Sequence, residues 1–182
     1  MYWHTTLKAV GGSNRNWEKH HIRRVLSEQL EALWKTHPAL VDHDRTGDIQ
    51  AFHARKFDRG GIGFIPLVTE DLGLSCALDI TILRPGKAGR IVFKGGDIDN
   101  RIKTLLDALR VPKTQDEMKL KSDEANPNPI YCLVEDDELI TSLKVSTDQL
   151  LVPHTADDSE VCMSMKVFLQ GRGGIDTPYV FR

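Results

Sequence analysis

The 182-residue chain is 40% hydrophobic and 27% charged, which is enough apolar material for one buried core and gives no sign of a second domain. Its formal net charge is −2, so the chain as a whole has no electrostatic pull toward nucleic acid, and any such contact must come from local patches. No apolar run approaches the roughly 18 residues of a membrane span, MYWHTTLKAV lacks the form of a secretory leader, and Cys76, Cys132 and Cys162 are odd in number and far apart. These features predict a cytoplasmic protein, with no membrane partner and with its cysteines buried as small apolar residues.

Residues 2–10 alternate loosely and predict a first strand, after which Gly11, Gly12, Ser13 and Asn14 supply turn and cap chemistry. Ile22, Val25, Leu26, Leu30, Leu33 and Trp34 then recur at helical spacing, with Lys19, Arg23, Arg24, Glu28 and Glu31 on the other faces. This helix must end before Pro38. Over 41–61 the pattern weakens. The stretch DHDRTGD at 42–48 has the acidic alternation of a calcium loop, but the twelfth position is His53 instead of a bidentate glutamate and flanking helices are not evident, so a polar turn is expected. Residues 62–68 and 74–83 predict two strands joined across TEDLG as a hairpin, and 90–94 a short further strand.

A helix follows Asp99, its apolar stripe made by Ile102, Leu105, Leu106 and Leu109, and Pro112 marks its limit. Residues 113–129, KTQDEMKLKSDEANPNP, read as a long mobile loop, and 131–134, 139–145 and 161–169 as the last strands. One domain over 1–170 and an irregular tail over 171–182 complete an α+β chain: a mixed sheet with a long N-terminal helix and a central helix packed on it.

The chemistry concentrates in GGDIDNRIKTLLDAL at 95–109. Asp97 and Asp99 stand two residues apart at the mouth of the central helix, and two ionised carboxylates held close together repel unless a proton or a cation lies between them. Carboxylate oxygens suit Mg²⁺, or Mn²⁺, and Mg²⁺ favours one or two protein carboxylates plus substrate phosphate oxygens. Asp99, Lys103 and Asp107 lie four apart on one flank, so Lys103 can add the charge that a metal-bound phosphate lacks. Either aspartate alone could be a helix cap, and Lys103 with Asp107 an exposed ion pair. A second acidic cluster, Glu135 to Glu138, sits between two predicted strands and offers a third ligand, although Asp-Asp also favours a plain turn. Two basic patches complete the set. Lys19, His20, His21, Arg23 and Arg24 cluster early, while Arg84, Lys87, Arg90 and Lys94 lead into the aspartates; a charge run is ordinarily a solvated face.

The ungapped DxDNxxKxxxDAL at 97–109, followed by an apolar stretch and the DD pair of YCLVEDDELITSLKV, resembles the RusA family of Holliday junction resolvases, small homodimeric endonucleases that cut four-way DNA junctions. The early strand followed by SNRN is a weaker third match. The resemblance implies that Asp97, Asp99 and Asp137 bind Mg²⁺ and act in catalysis with Lys103. It further implies that Ser13, Asn14, Arg15, Asn16, Lys94, Asn100, Arg101 and Lys103 contact DNA, that the partner is a branched, four-way junction, and that the protein is a homodimer. Asp136 is the less certain member of its pair. This chain departs from the family in having Phe93, Lys94, Gly95 and Gly96 where the family has a run of arginines, which predicts weaker phosphate contact. It is also longer, around 40–60 and 113–129.

Two rivals from other classes explain part of the pattern. A DxD glycosyl- or nucleotidyltransferase accounts for the pair and the metal but not for Lys103 and Asp107 in register. A catalytically silent junction-binding protein accounts for the missing arginines but not for three retained aspartates and a lysine. Zinc chemistry fails because only His20 and His21 lie close together, and neighbours on a helix point about 100° apart.

Overall fold

A computed structural model describes the backbone of residues 2–6, 14–85, 92–93, 96–118, 128–152 and 160–171, and side chains over 16–85, 101–118, 128–152 and 161–171. The chain runs β1 (Tyr2–Thr6), α1 (Asn14–Thr36), α2 (Pro38–His43), α3 (Asp48–Lys56), β2 (Phe64–Val68), β3 (Leu74–Arg84), β4 (Val92–Phe93), β5 (Gly96–Asp97) and α4 (Ile98–Leu109). It continues through a 3₁₀ turn (Gln115–Met118), β6 (Ile130–Val134), a second 3₁₀ turn (Asp137–Leu139), β7 (Ile140–Gln149) and β8 (Glu160–Gly171). The architecture is α+β, as expected. Four strands form a mixed sheet in the order β1-β8-β3-β7, in which only β3 and β7 run parallel.

α1 is the central element. Ile22, Leu26, Leu30 and Trp34, at successive helical turns, are each at most 2% exposed and pack into the main core with Leu78, Ile80, Leu105 and Leu133. Each such side chain contributes about 1.5–3 kcal/mol by leaving water. The helix ends at Thr36, one residue before the His37–Pro38 step that disfavours further α geometry.

Four sequence expectations change. First, β2 and β3 do not form a hairpin. A tight turn does join them, with Gly73 at φ 60° and its N–H donating to Glu70 O at 2.8 Å, but β2 pairs in parallel with β6 while β3 pairs with β7 and β8. The reason lies in composition: FIPLV is buried at every position, as a strand covered on both faces must be, whereas β3 alternates. Ile65, Leu67 and Leu133 face the main core, and Phe64, Ile130 and Cys132 join Phe57, Val111 and Met118 in a second cluster behind.

Second, helices do flank the 42–48 segment. Its acidic residues still serve a turn: Asp44 accepts from Ile49 N–H at 2.9 Å and from Gln50 Nε2 at 2.7 Å, which holds the entry to α3. Third, the 113–129 segment is not wholly a loop, since Gln115–Met118 is helical and Met118 is buried. Fourth, the early basic cluster is only in part a solvated face, with His21 exposed and Lys19 and Arg24 half-buried. Arg23 and His20 are at most 1% exposed, because α1 is covered on more than its apolar stripe. The expected strand at 90–94 is seen at Val92–Phe93, paired antiparallel with Gly96–Asp97. The tail at 172–182 lies outside the described residues.

Candidate metal and phosphate site

α4 begins one residue after Asp97, so Asp99 and Asn100 stand in its first turn, and Arg101 and Lys103 in the next. The helix forms because Leu105, Ala108 and Leu109 bury a stripe against the core, with Ile102 and Leu106 partly covered beside it. Lys103 is exposed and has no partner among the described residues. Arg101 turns toward α1, where burial lowers its pKa and Glu18 opposes that effect.

The second acidic cluster forms a compact turn. Asp136 is the N-cap of the 3₁₀ segment Asp137–Leu139, accepting from Glu138 N–H at 3.2 Å, and buried Leu139 pins the turn to the core. The two carboxylates titrate apart, as close carboxylates sharing a proton do. The hydrogen bond to Asp136 pushes the Asp137 carboxyl up, with burial and the neighbouring charge adding to it. Burial also pushes Asp136 up, but hydrogen bonds from Asp137, from the Glu138 N–H and from Lys113 outweigh it, so Asp136 titrates below the usual carboxylate range. The Lys113 ammonium lies 3.2 Å from Asp136 and 3.8 Å from Asp137.

This turn touches α4. The chain reaches it from β6 at the C-terminal end of that helix, where Arg110 bridges Val134 and the Val111 N–H donates to Val134 O at 3.2 Å. α4 has 12 residues, about 18 Å of rise, so Asp99 stands at the end away from Arg110. The carboxylates of Asp97 and Asp99 lie outside the described side chains, and with them their separation from Asp137. Among the described residues no group of three His, Cys, Asp or Glu is placed to hold a metal, so the Asp136–Asp137 pair needs a further donor.

The remaining sequence-derived residues are distributed as follows. Ser13 and Lys94 lie outside the described residues. Asn14 and Arg15 open α1, with side chains outside the description, and the Asn16 side chain donates to Asp116 O at 3.2 Å, fastening α1 to the Gln115–Met118 turn. Of the second basic patch only Arg84 is described, and it is buried at the end of β3. Asp107 does not pair with Lys103. It is held by Lys19 at 2.6 Å and Arg110 at 3.4 Å.

That pairing belongs to an ion network that the sequence reading missed. Arg23 donates to Asp107 O at 2.9 Å and to Arg110 O at 3.2 Å, capping the last carbonyls of α4 with a buried cation. Arg110 in turn meets Glu117 at 3.3 Å. The available signal was a second helical stripe: His20, Arg23 and Ser27 are spaced three and four apart, and Ser27 Oγ accepts from the Tyr131 N–H of β6 at 2.9 Å. Cys132, beside Arg23, is pushed up to about 12 by burial and Cys76 to about 11, so both are inert core thiols, as expected.

No family model, no curated protein and no solved structure matches the chain. No described helix is long and apolar enough to cross a membrane.

Proposed function

We propose that the chain is a Mg²⁺-dependent endonuclease of RusA type, cutting phosphodiester bonds in branched DNA, with Asp97, Asp99 and Asp137 as metal ligands and Lys103 at the phosphate. The observation that supports it most is the Asp136–Asp137 turn, whose 3₁₀ segment touches the helix that carries Asp99 and the exposed Lys103. Two carboxylates held this close repel when both are ionised, and a hard divalent cation between them relieves that repulsion.

When bound, the ion would polarise the scissile phosphate and lower the pKa of a water, the two contributions such hydrolysis most needs. The side chains do the rest. Asp136 steadies Asp137 through their shared hydrogen bond, and Lys103 offers an ammonium to the charge that builds on the phosphate oxygens. Ser13, Asn14, Arg15, Asn16, Lys94, Asn100 and Arg101 are the proposed backbone contacts. Symmetric cutting of a four-way junction requires two sites in one particle, hence a homodimer.

The deciding experiment incubates a labelled four-way junction and a linear duplex with the protein, with and without Mg²⁺, beside Asp99→Asn, Asp137→Asn and Lys103→Ala. Mg²⁺-dependent junction cutting lost in all three is the expected result. Tight binding without cutting would favour the silent junction binder, and neither binding nor cutting would overturn both DNA readings. Loss of cutting in Asp99→Asn but not in Asp137→Asn would remove the 3₁₀ turn from the site.

A further inference from the structure

β7 is an edge strand. β3 flanks it on one side, and no strand among the described residues flanks it on the other. Natural edges are blunted by shortness, proline, lysines or bulges. β7 has ten residues and no proline, and its only irregularity is a register shift opposite Cys76 and Ala77, at its start. Residues 141–144 are exposed, and Leu143, whose partner on β3 is core residue Leu78, is left 39% exposed at the margin of the apolar face. Leu151 and Val152, just past the strand, are 82% and 74% exposed.

We propose that this edge docks a second copy of the chain, the two β7 strands pairing antiparallel about a twofold axis at Ser146. The strand contains one cation, Lys144, and one anion, Asp148, and only a register centred on Ser146 sets each against its opposite in the partner. The faces match as well. Side chains alternate along a strand, so Leu143, Val145 and Thr147 meet the partner's Gln149, Thr147 and Val145 on the core side, while Lys144 and Asp148 meet on the outer side, where Lys144 already reaches Asp79 at 3.1 Å. The same register brings Leu151 and Val152 onto the partner's Thr141 and Ile140, covering the two most exposed large apolar side chains described. The paired edges close on themselves, as a twofold contact must, instead of propagating.

The nuclease reading already requires a homodimer, and the proposal adds the face through which it forms: a dimer indifferent to substitutions on β7 would overturn the proposal and leave the nuclease reading intact, whereas a monomeric chain would count against both. The test is sedimentation equilibrium on the full chain and on D148K and K144D/D148K, with far-UV circular dichroism showing each folded. A micromolar dimer is expected, weakened about tenfold in D148K, where lysine faces lysine twice, and restored to within about threefold in the double variant. A wild-type chain that stays monomeric through that range, a D148K dimer of unchanged affinity, or a loss that the second substitution does not repair would each overturn it.

Discussion

At the scale of single residues, the Asp136–Asp137 pair makes metal binding a proton-linked event. Asp137 titrates above an ordinary aspartate because it donates to Asp136, so at a pH below that raised value an ion that enters between them displaces a proton. Mg²⁺ affinity is therefore expected to rise with pH through the range just above the usual carboxylate pKa of about 4, and to level off once the pair is fully ionised. Calorimetric titration in two buffers of different ionisation enthalpy measures the released proton; in Asp137→Asn that release disappears. Lys113 is the internal competitor, an ammonium within 3.8 Å of both carboxylates. Its side chain is more than half exposed, so water screens it, and Lys113→Ala is expected to tighten Mg²⁺ by only about two- to fivefold. An unchanged affinity would mean that the ion binds elsewhere.

At the scale of elements, the relation between α1 and α4 shows what was legible in the sequence and what was not. Both helices were readable, because Ile22-Leu26-Leu30-Trp34 and Leu105-Leu109 repeat at the helical period and Pro38 and Pro112 bound them. Their join was not, because burial of Arg23 contradicts the ordinary placement of arginine and depends on carbonyls 84 and 87 residues away. For the same reason Lys103 and Asp107, in register on paper, part company: Asp107 faces Lys19 on α1, a partner that no local spacing reveals. The catalytic reading of Asp97, Asp99 and Asp137 was legible only as a motif. Two consequences can be measured by urea unfolding. Arg23→Met leaves the Asp107 and Arg110 carbonyls without their buried donor and is expected to cost about 3 kcal/mol, and Arg23→Lys restores little because the planar fork is what reaches both. Burial pushes the Asp107 carboxyl up, but Lys19 and Arg110 outweigh it and hold it below its ordinary value. A carboxylate so lowered stabilises the fold above about pH 4 and loses that contribution as pH falls through its folded value. Asp107→Asn should thus be less stable at neutral pH by about 1–2 kcal/mol, with the gap to the parent closing below about pH 4.

At the scale of the whole molecule, the β2–β6 ribbon and strand β7 occupy opposite ends of a stability range. The β2–β6 ribbon has a core on each face: Ile65, Leu67 and Leu133 look into the main cluster, Phe64, Ile130 and Cys132 into the second, and all ten of its residues are buried. Opening it would expose both clusters at once, so its paired amides should exchange with solvent only when the entire chain unfolds. β7 is the contrary case, since several of its side chains face water and no strand among the described residues covers one of its edges. Hydrogen exchange followed residue by residue should therefore rank 64–68 and 130–134 slowest. The outward amides of 140–149 should exchange early in dilute protein, and their protection should rise with concentration as copies pair through that edge. Leu133→Ala, which removes a side chain with no exposure from beneath α1, should lower global stability by about 2–5 kcal/mol and speed exchange in both β2 and β6 together. Faster exchange in β6 alone would mean that the ribbon opens locally, and that the two clusters do not form one cooperative unit.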